Sequence, residues 1–350
     1  MFSRLAGNQR VKESLRRMLA VRRVPGALLF AGEEGVGKKL FALELAKAIN
    51  CRTPIEEVEA CDRCPSCLRI MRSSFPAHTS EDDNKKKLVW SEHRDVALVR
   101  PYNRNIAVDK MRELEREANF RPFEGKARFF LIEDADRLNE ASSNALLKTL
   151  EEPPTTTHLI LITSRPASLL PTIRSRSQVI RFAPLSATEI EKRLLEANKT
   201  LSQSDAQVLA HASGGSIGRA LSTDLAAYQE QRKAMLGVLD ALAVTKDRAR
   251  LLRAAEELCD AKRKDEYEPR LSMLETLVHD VWAVSLGAPA EQLTHQDLRE
   301  QLTRIGQRLE SRRAARWLTQ IDTHRRQLEV NINRKVATDA LFLAMSEEQG

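Results

Sequence analysis

Residues 32–39 carry the spacing of a phosphate-binding loop. Gly32, Gly37 and Lys38 match the pattern G-x-x-x-x-G-K, and Gly35 adds a third glycine inside it. Glycines let the backbone turn its N–H groups toward phosphates, and the lysine reaches the β- and γ-phosphates of a nucleotide. The next residue is normally Ser or Thr, whose hydroxyl ligates Mg²⁺, but here it is Lys39. Because an ammonium has no lone pair for a metal, three hypotheses stay open: nucleotide binding without hydrolysis, an empty loop, and an active ATPase.

Two adjacent acids, Glu133 and Asp134, follow the apolar run FFLI. In nucleotide hydrolases this position carries Asp and then Glu; the first holds the metal and the second activates the attacking water. The reversed order displaces each carboxylate by one methylene, and catalytic geometry tolerates little displacement. The pair therefore predicts an altered metal site. The alternative is a pair of acids that simply end a buried strand.

Four cysteines form a compact group with the spacing C-x9-C-x2-C-x2-C, at Cys51, Cys61, Cys64 and Cys67. Four thiolates at such spacing suit a closed tetrahedral Zn²⁺ site, which is structural rather than catalytic. An iron–sulfur cluster and reduced thiols without a ligand are the alternatives. The sequence therefore predicts a zinc module over residues 51–67.

The pattern of apolar residues divides the chain into an α/β part and a helical part. Short apolar runs alternate with helical patterns up to about residue 183, which predicts a parallel sheet with helices on both faces. From about residue 225 to 345 the pattern is helical almost throughout. Predicted strands cover residues 27–31, 95–100, 129–132, 159–163 and 179–182, and the clearest helix covers 139–152.

These patterns predict three domains. A nucleotide-binding-like domain covers 1–184, a small helical domain covers 185–225, and an all-helical domain covers 226–350. Residues 80–94, SEDDNKKKLVWSEHR, lack a hydrophobic face and are predicted to be a solvated loop insertion. The alternative for this segment is a loop that contacts a partner.

The composition fits a cytoplasmic globular protein of 350 residues. It is 42% hydrophobic and 30% charged, with a net charge of +7 that permits contact with nucleic acid. No apolar run has the length of a membrane span, and the first residues do not resemble a signal peptide. We therefore expect a cytoplasmic location, no membrane partner, and no disulfide framework among the five cysteines.

Several longer motifs together resemble the clamp-loader branch of the AAA+ ATPases, within the bacterial DNA polymerase III holoenzyme. They are the altered phosphate loop followed by the four cysteines, LIEDADRL, NALLKTLEEPP, LLPTIRSRSQVIRF, and, less densely, GGSIGRA and VNINRKVATDALFLAM. The resemblance implies an AAA+ P-loop core, a helical lid and a helical collar that holds subunits in a ring. It also implies a subunit that helps load a sliding clamp onto primed DNA, beside gamma/tau and delta subunits.

The same resemblance implies roles for individual residues. Arg176, in the Ser-Arg-Ser that matches the family's Ser-Arg-Cys motif, would be an arginine finger for the ATP site of a neighbouring subunit. Arg219 matches the lid's sensor arginine, and Thr163 or Ser164 stands at the polar sensor position of the sheet. With Lys39 and the reversed acids, the chain is predicted not to hydrolyse ATP and to be no enzyme by itself, while ATP binding stays possible because Lys38 and the three glycines are intact.

Two other functions remain as alternatives. An active gamma/tau-like ATPase predicts Ser or Thr at position 39 and Asp-Glu at the acidic pair. A zinc-dependent nucleic-acid-binding protein predicts a basic surface around the cysteines, whereas this segment carries the acids Glu56, Glu57, Glu59 and Asp62. Contacts to DNA phosphates are expected from the core instead, in the region of Arg100, Arg104 and Lys110.

Overall fold

The structure is a computed structural model that describes residues 1–56, 58–72, 75–76, 78–328 and 332–347. Glu57, one of the acids named near the cysteines, lies outside the described residues. So do residues 329–331 and 348–350 of the predicted 226–350 domain. Within the described chain, contacts group into two compact units: residues 1–197 with 215–221, and residues 198–214 with 222–350. The predicted division into three domains stays a prediction.

The described part of the first unit contains one six-stranded sheet with the order β2-β3-β4-β5-β1-β6. All neighbouring strands are parallel except β2 and β3, which pair antiparallel. The predicted parallel sheet is therefore confirmed, with one short strand that was not predicted. The strands are β1 (Ala27–Ala31), β2 (Val89–Trp90), β3 (Val96–Val99), β4 (Arg128–Ile132), β5 (Thr157–Thr163) and β6 (Gln178–Arg181).

Sixteen α-helices surround or follow this sheet in the residues that the structure describes. The clearest predicted helix, at 139–152, is confirmed as α6. The helices are α1 (Gln9–Ala20), α2 (Lys38–Asn50), α3 (Pro65–Arg72), α4 (Glu81–Lys86), α5 (Val108–Ala118), α6 (Glu140–Glu151), α7 (Pro171–Ser175), α8 (Ala187–Ala197), α9 (Gln203–Ala212), α10 (Ile217–Ser222), α11 (Leu225–Asp240), α12 (Arg248–Leu258), α13 (Tyr267–Ser285), α14 (Arg299–Gly306), α15 (Ser311–Leu328) and α16 (Arg334–Ser346).

The sheet is buried on both faces, as its composition requires. Every residue of β1, β3, β4 and β5 is buried, and parallel strands of this kind occur where helices cover both faces. Successive residues of β1 point to opposite sides. Leu29 belongs to a cluster with Leu114 of α5, whereas Phe30 packs on Phe182, which packs on Phe41 of α2.

The carboxyl ends of the central strands meet at one edge of the sheet. Ala31, the last residue of β1, pairs in register with Thr163 at the end of β5, and Leu29 pairs with Leu161, which also pairs with Ile132 at the end of β4. Chain segments that leave parallel strands at this edge form the ligand crevice of open α/β sheets. The phosphate loop and the acidic pair leave from these strands and are thereby brought together.

The prediction of a loop at residues 80–94 is wrong. Residues 81–86 form α4, Leu88 and Val89 are buried, and Val89 belongs to β2 of the sheet. The acids at the beginning and lysines at the end of the segment complement the helix dipole and form three i,i+4 ion pairs. Such pairs stabilise a helix without an apolar face, and none of its residues is buried. Contact with a partner remains an untested alternative for this segment.

The second unit is helical in all of its described segments, in agreement with the sequence pattern. Its core contains Trp317, Phe342 and Leu274, each almost fully buried. Asp280, also fully buried, accepts hydrogen bonds from the backbone N–H of Thr294 and of His295. Across the described residues of both units, no helix is both long and apolar enough to cross a lipid bilayer.

Candidate functional site

The phosphate loop has the backbone geometry that its glycines predict. Gly35 and Gly37 have φ values of +77° and +96°, in the left-handed region that favours glycine, and α2 begins directly after Gly37 at Lys38. Gly35 also lies against residues 216–218. A Cβ at Gly35 would lie 2.1 Å from Ser216 Oγ, and the Gly218 N–H donates to the Gly35 carbonyl at 2.9 Å. The beginning of α10 therefore packs against the phosphate loop and supports its conformation.

Lys38 is fixed inside the loop. Its ammonium donates to the carbonyls of Gly32 and Glu33, each at 2.6 Å, and the residue is only 6% exposed. Burial lowers the pKa of Lys38 from its usual value, against the opposing effect of Glu34 and other nearby acids. An ammonium has three N–H donors, so two contacts leave one for an anion. The position suits a lysine that closes on a phosphate.

Lys39 contacts the acidic pair directly. Its ammonium lies 2.8 Å from Glu133 Oε1 and 5.1 Å from the centre of the Phe75 ring. Arg100 Nε donates to the other carboxylate oxygen of Glu133 at 3.2 Å. Glu133 therefore lies between two cations, one on each oxygen.

The second acid of the pair is held differently. Asp134 has a left-handed backbone with φ of +46°, and its side chain is about half exposed. Partial burial, together with the nearby charges of Asp136 and Glu133, raises its pKa, although Arg137 opposes this. The two predicted acids therefore lie side by side at the edge of the sheet, in different electrostatic surroundings.

Asp136 is a site residue that the sequence analysis missed. Its buried carboxylate accepts a hydrogen bond from Thr163 Oγ1 at 2.6 Å and two from the Arg165 guanidinium at 3.0 and 2.7 Å. Burial raises the pKa of Asp136, but these bonds outweigh it and lower the pKa overall. Because the Thr163 hydroxyl is engaged, exposed Ser164 is the better candidate for the polar sensor. The sequence did carry a signal for this residue, because EDADRL contains a third acid after the predicted pair.

These groups line one cavity of about 770 Å³ in the first unit. This volume lies within the range of small-ligand sites. Its lining includes the loop from Glu34 to Lys39, both acids of the pair, Thr163, Ser164 and Gly218. Arg219 and Arg176 are not part of this lining. The loop, the acidic pair and the sensor position thus come together as predicted from sequence, whereas the two arginines do not join them.

Arg176 lies on an exposed turn after α7. Its Nε donates to Glu151 Oε1 at 2.7 Å, its Nη2 lies 2.5 Å from the same oxygen, and its Nη1 donates to the Thr172 carbonyl at 3.2 Å. About a third of the side chain remains exposed. The guanidinium is therefore held at the protein surface, where another molecule can reach it.

The four predicted cysteines converge at one point. All four are buried and their sulfurs lie within 4.8 Å of one another, with Cys51 and Cys64 sulfurs 4.0 Å apart and those of Cys61 and Cys67 3.9 Å apart. A tetrahedron with metal–sulfur bonds of about 2.3 Å has sulfur–sulfur edges of about 3.8 Å. The donor set therefore fits a metal ion such as Zn²⁺.

Hydrogen bonds stabilise negative charge on part of this cluster, whereas burial raises the pKa of the Cys51 and Cys67 thiols. The backbone N–H of Cys61 donates to Cys51 Sγ, and that of Cys64 donates to Cys61 Sγ. Burial raises the pKa of Cys61, but hydrogen bonds from Thr53 and from backbone N–H groups outweigh it and lower the pKa to about 6. At least one sulfur is therefore ready to bind a cation as thiolate at neutral pH.

Two of the acids around the cysteines, Glu59 and Asp62, form ion pairs within the fold. Glu59 accepts from the Phe2 backbone N–H at 2.8 Å and pairs with Arg16 at 2.6 Å. Asp62 pairs with Lys47 at 2.6 Å. This module is thus tied to α1 and α2 through buried ion pairs, which suits a structural element.

One of the candidate DNA contacts is wrong. Lys110 is 2% exposed, and its ammonium donates to the carbonyls of Asn84 in α4 and Arg100 after β3, so that it links these two segments. A buried lysine with these partners does not reach a phosphate backbone. Arg100 is paired with Glu133, and Arg104 is exposed.

Comparison with known proteins points to one family. The sequence model of the family described as "DNA polymerase III, delta subunit" matches residues 7–186, and that of its C-terminal domain matches residues 227–346. The delta-prime subunit of Bacillus subtilis DNA polymerase III is 28% identical over 338 residues, which are 97% of this chain and 96% of that protein.

Two further proteins are similar over most of this chain. Escherichia coli DNA polymerase III subunit tau is 32% identical over 251 residues, 68% of this chain but only 36% of tau. A gamma subunit-related protein of Thermotoga maritima, of known structure, is 16% identical with a TM-score of 0.37, over 95% of this chain and 98% of that one. The first family model covers more than half of the chain, and the chain therefore belongs to the DNA polymerase III delta-subunit family, in which it is related to delta-prime.

Proposed function

We propose that the chain is a clamp-loader subunit that binds nucleotide without hydrolysing it and offers Arg176 to the ATP site of a neighbouring subunit. The observation that carries this proposal is the ion pair between Lys39 and Glu133, 2.8 Å long, across the two motifs that face the metal in an active ATPase.

The pair opposes hydrolysis for two reasons. A magnesium ion between these motifs would lie next to the Lys39 ammonium, and like charges at such short range repel strongly in a partly buried site. Glu133 is also bound by Arg100 on its second oxygen, so both of its oxygens already have cationic partners that compete with a water for them. Hydrolysis depends on both the metal and the oriented water.

Nucleotide binding is supported by the rest of the cavity. The loop presents its backbone at the beginning of α2, Lys38 keeps one donor available, and Ser164 is exposed at the lining. Most phosphate contacts in such loops come from the backbone and from the invariant lysine. Replacing the metal ligand therefore removes the chemistry while leaving the contacts that hold phosphate.

Arg176 supports a role in trans. It does not line the cavity of its own chain, and it lies on an exposed turn. A guanidinium placed across a subunit interface neutralises charge that develops on the transferred phosphate, an effect worth about 10³ or more in rate. In this proposal the chain contributes to the reaction of its neighbour and has no ATPase activity of its own.

The remaining parts of the proposal concern assembly. The four cysteines would bind a structural Zn²⁺, which fills their tetrahedron and neutralises their charge. We infer partners of the gamma/tau and delta types, and through them the sliding clamp and primed DNA. The all-helical segment after residue 226 would serve as the collar, residues 185–225 as the lid, and Arg104 is the most accessible of the three candidate DNA contacts.

The test is the ATPase rate of a reconstituted loader containing this chain. Arg176→Ala should lower the clamp- and primer-stimulated rate about 10³-fold, whereas Arg174→Ala, a neighbouring exposed arginine, should leave it near wild type. The isolated chain should release no phosphate from ATP. Hydrolysis by the isolated chain, with a complex insensitive to Arg176→Ala, would instead identify an active subunit of the gamma/tau type.

A further inference from the structure

We propose that Glu151, the last residue of α6, is the positioning residue for the Arg176 guanidinium. This inference rests on the proposed role of Arg176 in trans. It gives a function to the end of the motif NALLKTLEEPP, which forms no part of the phosphate loop or the acidic pair.

The contacts divide the guanidinium into an inner and an outer part. Nε and Nη2 both bind Glu151 Oε1, and Nη1 binds the Thr172 carbonyl. An arginine carries five N–H donors in a rigid planar fork. These three contacts engage three donors within the described part of the chain, and one donor on each terminal nitrogen is left. Two donors on adjacent nitrogens match a pair of phosphate oxygens.

The position of Glu151 is locally unfavourable, which indicates another purpose. The sequence ends α6 with the acids Glu151 and Glu152, at the end of the helix where the dipole disfavours negative charge. Residues that break a local rule concentrate at functional sites. The Arg176 guanidinium, which comes from a different element, compensates the charge on Glu151.

Both partners are carried on rigid supports. Leu150, beside Glu151, is 3% exposed, and Ile173 on α7 is fully buried. Ser177, directly after Arg176, is also buried and its hydroxyl donates to the Ile173 carbonyl at 2.9 Å. The end of α6 that carries Glu151 is thus anchored in the core, and the turn that carries the arginine is anchored by buried residues on both sides. A functional group held in this way loses little freedom when it meets its target.

The test compares two adjacent acids in the reconstituted loader. Glu151→Ala should lower kcat about tenfold with KM for ATP unchanged, because a finger displaced by about 1 Å still binds near the phosphate but stabilises the transition state less. Glu151→Gln, which keeps one acceptor oxygen, should lie between Glu151→Ala and wild type. Glu152→Ala is the matched control, and it should behave as wild type.

A double-mutant cycle separates positioning from structure. If Glu151 acts through Arg176, Glu151→Ala should have no further effect once Arg176 is alanine. A further loss in that background, or a fall in rate equal to that of Glu152→Ala, would overturn the inference. If Arg176→Ala itself leaves the rate unchanged, the proposed finger fails instead, so the two failures are distinguishable. Melting temperatures of the variants, expected within a few degrees of wild type, exclude misfolding as the cause.

Discussion

The phosphate-loop cavity and the cysteine cluster are two candidate cation sites in one compact unit, and they treat positive charge in opposite ways. In the cavity the chain supplies the cation itself, as the Lys39 ammonium 2.8 Å from Glu133. In the cluster it supplies only ligands, four sulfurs within 4.8 Å of one another. Two thiolates about 4 Å apart repel by about 4 kcal/mol at an effective dielectric constant of 20. The cluster therefore needs an external cation to be fully ionised, and the cavity does not.

Under the proposed function, this difference shows how one fold can keep a ligand-binding shape without its reaction. A single substitution at the metal-ligand position, from hydroxyl to ammonium, satisfies the nearby carboxylate without metal. The backbone that faces phosphate is left in place, because its geometry depends on Gly35 and Gly37. In the cysteine cluster, by contrast, the proposed metal would itself contribute to the stability of the fold.

The largest expected effect is removal of the metal from the cluster. Cys64→Ser, or prolonged chelation, should cost at least about 3 kcal/mol, since structural zinc contributes directly to folding. For a unit of this size that is a fall of about 6–12 °C in melting temperature. Cys259→Ser, at the free cysteine of the second unit, is the control. Metal analysis should find one zinc per wild-type chain; a metal-free protein with the same melting temperature after chelation would contradict the comparison.

The second prediction concerns Lys39 and the effect of Mg²⁺ on ATP binding in the cavity. Lys39→Thr offers Mg²⁺ a hydroxyl and releases Glu133 from one of its two cations, so Mg²⁺ should strengthen ATP binding to this variant about tenfold, or about 1.4 kcal/mol. The wild-type affinity should be the same in Mg²⁺ and in EDTA. Titration with a fluorescent ATP analogue measures both.

Lys39→Ala is the matched control for that experiment, since it removes the ammonium without adding a ligand, and it should show a smaller response to Mg²⁺ than Lys39→Thr. A wild-type chain whose ATP affinity already rises with Mg²⁺, or one that binds no nucleotide under either condition, would break the proposed difference between the two sites.

The smallest expected effect concerns Asp136, a buried carboxylate that accepts hydrogen bonds from Thr163 and Arg165. Asp136→Asn should cost about 1–2 kcal/mol at pH 7, because it weakens the bonds from Thr163 and Arg165 to a buried carboxylate. The pKa of Asp136 is lowered in the folded state. Its contribution is therefore fully present above the unfolded value near 3.9 and is lost as the pH falls through the folded value.

Urea unfolding at pH 7 and at successively lower pH tests this sign. The stability difference between wild type and Asp136→Asn should shrink below about pH 4. Asp134→Asn is the control, because Asp134 is half exposed and asparagine tolerates its left-handed backbone; it should change stability by less than about 0.5 kcal/mol. A difference that grows in acid would mean that Asp136 is not an ionised partner.

Contiguous patterns predicted much of the fold and part of the site. Five of the six strands, the loop and α6 followed from apolar periodicity and from glycine and proline positions, which act over a few residues. The helix at 81–86 was missed because it has no apolar face and is stabilised by ion pairs and dipole complementarity. Lys110 was misplaced because a lysine at a surface-like position can also be a buried tether to backbone carbonyls.

By itself the sequence determined the chemistry that is available: a phosphate loop with an ammonium in place of a hydroxyl, reversed acids, and four thiols at metal-binding spacing. Only the tertiary structure decided which groups meet. Lys39 contacts Glu133, Asp136 contacts Thr163, and Glu151 contacts Arg176 because parallel strands and the helices packed on them bring distant segments to one edge or surface. The energy of a charged group depends on the partner within a few ångströms, and that partner is set by the packing of the chain, not by spacing along it.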